Sequence, residues 1–363
     1  MLGRGVDQIL PTPSDPRLFE PVARSALEYV RLAEERHGPI SRPAAFEYVW
    51  GDALSELESI KPTARIINLE TAITTRGDPW SDKEIHYRMH PANIPCLTVA
   101  GIDCCVLANN HVLDWGRTGL AETLATLHGA GIQTAGAGHD EREAAAASVI
   151  TTSPATRILV YAFAVWTSGV PRNWRANRER PGVNLLENLS PGVATEIGRR
   201  IRSDRRSGDI VVASLHWGGN WGYEVSRSER DFAHRLIDTA GVDVVHGHSS
   251  HHVKGIEVYE RKVILYGCGD LLNDYEGIGG YEDFRGDLAL MYFPTLESGT
   301  GDLLGLGMVP TQTRRLRINR ASPVDTRWLA QRMDRECIQF GARVTQASEH
   351  TLVLDWERYG ARP

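Results

Sequence analysis

The sequence predicts an α/β fold built on a layered, largely buried sheet. Three observations carry that expectation: short runs of branched apolar residues recur along the chain, amphipathic stretches separate them, and the residues suited to chemistry sit directly after the apolar runs. Strands covered on both faces read as near-continuous apolar runs. Sites in such folds gather on the loops at strand ends.

Taken in order, a helix is expected over 21–36, and strands over 64–69 and 104–107. A helix over 120–130 follows, then a strand over 158–163, a helix over 193–202 and a strand over 210–215. The helix expected over 229–240 has Ser228 as a suitable N-cap and Gly241 as a suitable terminator, because a hydroxyl can accept from a free first-turn N–H and glycine tolerates the left-handed turn. Strands over 242–246 and 263–266 complete this series. The segment 166–184, rich in Arg, Pro, Gly and Trp, reads as a long surface insertion. Beyond Asp287 the chain becomes β-like at 288–293 and 303–309, and a helix near 326–340 closes it. No internal repeat is visible, so residues 1–295 read as one domain and 296–363 as a strand and helix extension packed on it.

Composition excludes several classes. The 363 residues, 42% hydrophobic and 24% charged, can bury a sizeable core and are too apolar for a disordered chain. No apolar run approaches the roughly 20 residues of a membrane span, and the N-terminus lacks the pattern of a signal peptide. Mixed charge with a net of -6 argues against bulk nucleic-acid binding. Only four of the forty basic residues are Lys (61, 83, 254 and 262), which reads as a bias toward Arg rather than as chemistry. Five cysteines without regular spacing argue against a disulfide scaffold, so a reducing, cytoplasmic compartment is expected.

Four strand ends carry the chemistry. They are Asn68-Leu69-Glu70, Asn109-Asn110-His111 with Asp114, His216-Trp217, and His246-Gly247-His248 with His251 and His252. Imidazole nitrogens and carboxylate oxygens are the donors that Zn, Mn and Fe prefer. A site spread over several strand ends can hold two ions about 3.5–4 Å apart, the arrangement that clamps attacking and leaving oxygens. A lone His near a strand end is more often a packed residue, but six of the thirteen lie in these motifs.

These motifs, with Ala-Gly-Ile-Asp at 100–103, Gly136-Ala137-Gly138, Gly-His-x-x-His at 247–251 and the run from Val263 to Asp270, resemble the CapA family. That family is named for poly-γ-glutamate capsule biosynthesis and is a branch of the calcineurin-like metallophosphatases. The resemblance implies a four-layer α/β/β/α sandwich and two divalent metal ions. Glu70, Asn110, His216, His248 and His251 match its metal ligands, and His111 matches the histidine that contacts substrate or donates a proton. Asp114, three residues on, is the local candidate to set the His111 tautomer. His246 and His252 read as polar support, and Asp270 as either orienting a ligand or capping a loop. The family opens with a strand ending in Gly-Asp, whose Asp is the first ligand. Met1 to Asp7 resembles the stretch just after it, so either the start lies too far downstream or this chain lacks that strand and ligand; the first is the expectation, since losing a core strand exposes apolar surface.

Two features concern substrate. Trp217 and Trp221 either wall a peptide or other bulky substrate or pack their loop, and Arg172, in an Arg-rich loop, either recognises carboxylate or phosphate or is solvated. The expected function is a metal-dependent, hydrolase-like enzyme acting on a peptide, poly-γ-glutamyl or phosphoester substrate. The alternatives are an epimerase that removes and returns a proton at a peptide Cα, and a non-catalytic scaffold. The expected partners are peptide or anionic small-molecule or polymer substrates, not nucleic acid or membrane, and the oligomeric state is left open.

Overall fold

The computed structural model describes residues 1–153 and 156–356. The site is framed by two sheets. The smaller is parallel, with Cys104–Val106 between Ile66–Asn68 and Gln133–Ala135. Its middle strand is wholly buried, as its apolar Cys-Cys-Val composition requires. The helix Gly116–Gly129 lies against it, and Leu120, Leu124 and Leu127, on one helical stripe, join the main core.

The larger sheet has seven strands. From one edge its order is Leu185–Leu186, Thr156–Val165, Ile210–His216, Val244–His248, Lys262–Leu265 and Ile256–Tyr259, with Ser148–Ser153 also paired to Thr156–Val165. Its central pairings are parallel. Alternate side chains point to opposite faces of a strand. Val160, Ala162, Val212 and Val244 enter the core shared with the smaller sheet, while Leu159, Tyr161, Val211, Ala213 and Val245 face the helices Pro191–Asp204 and Arg227–Ala240. Burial on both faces is why these segments read as unbroken apolar runs. Gly136 packs tightly between the sheets: a Cβ there would lie 2.6 Å from that of Ala108 and 2.7 Å from that of Ala162.

A third sheet pairs Leu288–Leu296 with Leu303–Thr313, which also pairs Thr351–Asp355 and Ile318–Arg320; Arg343–Ser348 lies beyond Thr351–Asp355. It crosses residue 295, and the helix Pro323–Ile338 sends Leu329, Met333 and Cys337 into the main core. All five cysteines are free. Among the described residues no helix is long and apolar enough to cross a membrane.

Several elements differ from expectation. The first long helix begins at Leu27, because residues 17–25 close a loop through the Arg17–Ser25 bridge. The helix expected at 229 starts at Arg227, capped by Ser226 rather than Ser228. Ser226 and Glu229 form a reciprocal capping box, and Gly241 ends the helix in the left-handed conformation. The strand expected over 242–246 is shifted to Val244–His248, so His246 and His248 lie within it. The segment 166–184 is not simply a surface insertion: Trp174 is fully buried, edge-on to Trp80 at 5.4 Å. A short helix, Gly5–Ile9, is an unexpected buried element. Before it, Arg4 bonds Glu20 and Asp274 with only 3% of its side chain exposed.

Candidate metal centre

The larger sheet supplies the histidines. Parallel register sets Ser214 beside His246 and His216 beside His248. His216 Nδ1 lies 2.9 Å from His248 Nδ1, and Ser214 Oγ stands 2.9 Å from His248 Nε2 and 3.0 Å from His246 Nδ1. Burial pushes His216 and His248 well below the ordinary histidine range and His246 down to about 4. Neutral imidazole is the form that ligates metal. His216 Nε2 is buried without a hydrogen-bond partner.

The smaller sheet supplies the oxygens. Glu70 is 5% exposed and accepts from Asn68 Nδ2 at 2.8 Å. Burial raises its carboxyl, while His251 opposes that shift. Asn109 builds the next turn: its Nδ2 donates to Asn68 Oδ1 and the Leu69 carbonyl, and its Oδ1 accepts from the His111 and Val112 N–H groups. That leaves Asn110 Oδ1 buried and unpartnered. Gly169, at φ +80°, comes close enough that a Cβ there would lie 3.2 Å from Asn110 Nδ2. The segment 166–184 therefore backs the site; Ser168 Oγ also donates to the His216 carbonyl.

Two histidine–carboxylate pairs face this cluster. His111 Nδ1 is 2.7 Å from Asp114 Oδ2, which also accepts from the Tyr87 N–H at 2.7 Å. Lys83 Nζ donates to Asp114 Oδ1 at 2.5 Å and to the Asn110 carbonyl. Burial brings His111 down to about 4 against the pull of Asp114. Burial would raise Asp114, but His111 and Lys83 hold it below its ordinary value. In the second pair, His251 Nδ1 is 3.0 Å from Asp270 Oδ2. Burial would lower His251, yet Asp270 raises it, and Asp270 is lowered in turn. Tyr87 and Tyr275 span the gap between the pairs: Tyr87 is edge-on to His111 at 4.6 Å, Tyr275 edge-on to His251 at 5.3 Å, and their hydroxyls meet at 3.3 Å.

Glu70, His111, His216 and His251 lie near enough to influence one another's charge, with Asp114 paired to His111, His248 to His216 and Asp270 to His251. The aromatic expectations divide. Trp217 is not a wall for substrate: its ring is 3% exposed in the helix-side core, and its indole N–H donates to the Tyr266 carbonyl. Trp221 lies 5.5 Å from His251 and stacks on Tyr281 at 4.1 Å. Arg172 is exposed, over the Trp166 ring at 4.4 Å. His252 packs between Tyr223 and Phe284. Ser249, between two of these histidines, is held at φ 109°, a strained backbone for a residue with a Cβ. Lys83, Tyr87, Tyr275 and Ser214 were not anticipated; they lie outside the strand-end motifs or look like ordinary core residues.

The donors fit a divalent metal in kind: imidazoles that burial keeps neutral at His216 and His248, the His251 imidazole oriented by Asp270, a buried carboxylate and a buried amide oxygen. Two of these atoms, His216 Nε2 and Asn110 Oδ1, are buried without another partner. Among the described residues no three His, Cys, Asp or Glu side chains close around one point at coordination distance.

Residues 1–275 match the family model described as bacterial capsule synthesis protein PGA_cap. The chain belongs to this family. It is 47% identical over 353 residues to a probable polyglutamine synthesis accessory protein of Mycobacterium tuberculosis, covering 97% of this chain and 93% of that one. It is also similar to the PGA biosynthesis protein CapA of Bacillus subtilis, 27% identical over 235 residues, covering 64% of this chain and 58% of the relative. The capsule biosynthesis protein CapA of Bacillus anthracis is 26% identical over 224 residues, 61% of this chain and 51% of that protein. The PGA_cap match takes in all four strand-end motifs and stops before the third sheet.

Proposed function

We propose that this PGA_cap protein is a metal-dependent, hydrolase-like enzyme with the four-layer arrangement of the calcineurin-like metallophosphatases. Its substrate would be a peptide, poly-γ-glutamyl or phosphoester compound. The observation that carries the reading is the pair of buried, unpartnered donors, His216 Nε2 and Asn110 Oδ1, within a set of otherwise neutral or paired ligands. Leaving such groups unsatisfied is costly, and an ion would relieve it.

Glu70, Asn110, His216, His248 and His251 would hold two divalent ions. Bound there, the ions would supply an activated water and polarise the oxygen under attack. The rest falls to the chain's own groups. Asp114 Oδ2 accepts a hydrogen bond from the Nδ1–H of His111, which leaves Nε2 as the nitrogen that gives or takes a proton. Asp270 orients His251 in the same manner. Trp221 and Tyr281 offer a flat apolar face beside His251, which suits a chain-like substrate better than a small ester.

The second reading is Cα epimerisation of a peptide, favoured by the two histidine–carboxylate pairs on either side of Tyr87 and Tyr275. One experiment separates the readings. Metal content is measured by elemental analysis after loading with Mn or Zn, and γ-glutamyl peptides and phosphodiesters are then incubated with the loaded protein in D2O. About two ions per chain, lost in His216→Ala and His248→Ala, together with cleavage supports hydrolysis. Deuterium at Cα without cleavage supports epimerisation. A folded protein that retains no metal and does neither overturns both and leaves the scaffold.

A further inference from the structure

Lys83 belongs to none of the strand-end motifs, yet its ammonium sits inside one. It enters with 11% of its side chain exposed. Nζ donates to Asp114 Oδ1 and to the Asn110 carbonyl. It also stands 3.2 Å from His111 Nδ1. That last contact is no hydrogen bond if the ring's proton points at Asp114 Oδ2, 2.7 Å away, because an ammonium has no lone pair with which to accept. The two carboxylate oxygens are thereby divided: Oδ1 serves Lys83, and Oδ2 serves His111 and the Tyr87 N–H. The Trp174 ring, 5.0 Å from Nζ, packs beside the ammonium.

Composition supplies an independent argument. This chain uses Arg for nearly every basic position, with Lys at only four of forty. Three of the four, Lys83, Lys254 and Lys262, are largely sunk into the protein and donate to main-chain carbonyls, those of Asn110, Glu224 and Thr300. A compact ammonium can reach converging acceptors in a narrow space; a planar guanidinium fork needs acceptors set side by side.

We infer that Lys83 is a positioning residue: one ammonium ties Asp114 to the Asn110 carbonyl and so fixes the ring of His111 beside the Asn110 side chain. The inference rests on the roles proposed for His111 and Asn110, but its test needs neither metal nor turnover. In metal-free protein labelled with 15N at histidine, the Nδ1–H of His111 is read at pH 7 as a downfield proton resonance, assigned by its loss in His111→Gln. In Lys83→Met that resonance is expected to move upfield or broaden away while the far-UV circular dichroism stays that of the wild type. Lys83→Arg, which keeps the charge, is expected not to restore it. Should Lys83→Met fail to fold, Lys83→Gln, which keeps one donor for the Asn110 carbonyl, is read in the same way. A folded variant with the resonance unmoved overturns the inference, because Asp114 and the Tyr87 N–H then suffice. Restoration by Lys83→Arg overturns it too, because charge alone is then enough. A wild-type protein that holds no metal would remove the proposed reaction and leave this resonance where it is.

Discussion

Replacing Arg4 by Leu tests how the N-terminal segment is tied to the site. The Arg4 guanidinium bonds Asp274 at 2.6 and 3.0 Å and Glu20 at 3.0 and 3.2 Å, and it lies over the rings of Tyr29 and Tyr87 at 3.9 and 4.4 Å. Glu20 and Asp274 are themselves fully buried. Removing one partner of a buried pair costs roughly 3–5 kcal/mol, because the remaining charge is left without compensation. Two carboxylates share this one cation, so a loss of about 5 kcal/mol is expected for Arg4→Leu. The triple variant Arg4→Leu, Glu20→Gln, Asp274→Asn leaves no unpaired charge and is expected to recover about half of it. Urea unfolding followed by tryptophan fluorescence measures both. A triple variant no more stable than Arg4→Leu would refute the reasoning, since lost packing rather than stranded charge would then account for the cost. Because Tyr87 carries both the Arg4 stack and the edge contact with His111, the folded triple variant is also expected to hold His111 less firmly.

Gly136→Val would place carbon against Ala108 and Ala162 at a φ of +90°, so overpacking and backbone strain together predict about 3 kcal/mol or more of destabilisation in the same urea assay; a loss below about 1 kcal/mol would mean that the two sheets separate easily there. Stability is expected to fall as pH drops from about 6.5 to about 4, because burial holds His111 and His252 near 4 and the unfolded chain binds protons the folded one refuses, up to roughly 3 kcal/mol per ring. His251 acts in the opposite sense, its pair with Asp270 stabilising the fold at low pH and losing that contribution as pH rises through its raised value. Urea midpoints at pH 7, 5.5 and 4.5 check the balance, and a midpoint that rises on acidification would show that His251 dominates.

The strands that frame the site were legible because they are buried on both faces. Cys104–Val106 and Ile210–His216 have no polar residue on a solvent side to blur the pattern. The segment 166–184 misleads for the converse reason. Its arginines at 172, 175 and 178 are exposed as their composition suggests, but Val170, Trp174 and Val183 are buried and Ser168 bonds the His216 carbonyl, which holds the segment beside the site. Ser228 and Ser226 are equally good caps by type; only the reciprocal bonds with Glu229 choose between them. Trp217 and Trp221 are four residues apart, and the glycines at 218 and 219 let the chain turn so that one ring enters the core and the other meets His251.

By itself the sequence determined the α/β class, the order of the principal strands and helices, and the polar residues that end those strands, because each depends on patterns within a few neighbouring residues. Tertiary structure alone decided which of those residues meet. His216 faces His248 because two strands pair in a particular register, and Lys83 reaches Asp114 from 31 positions away. Such contacts follow from how sheets and loops pack, and the energy that selects them is spread over the whole core rather than written at either partner.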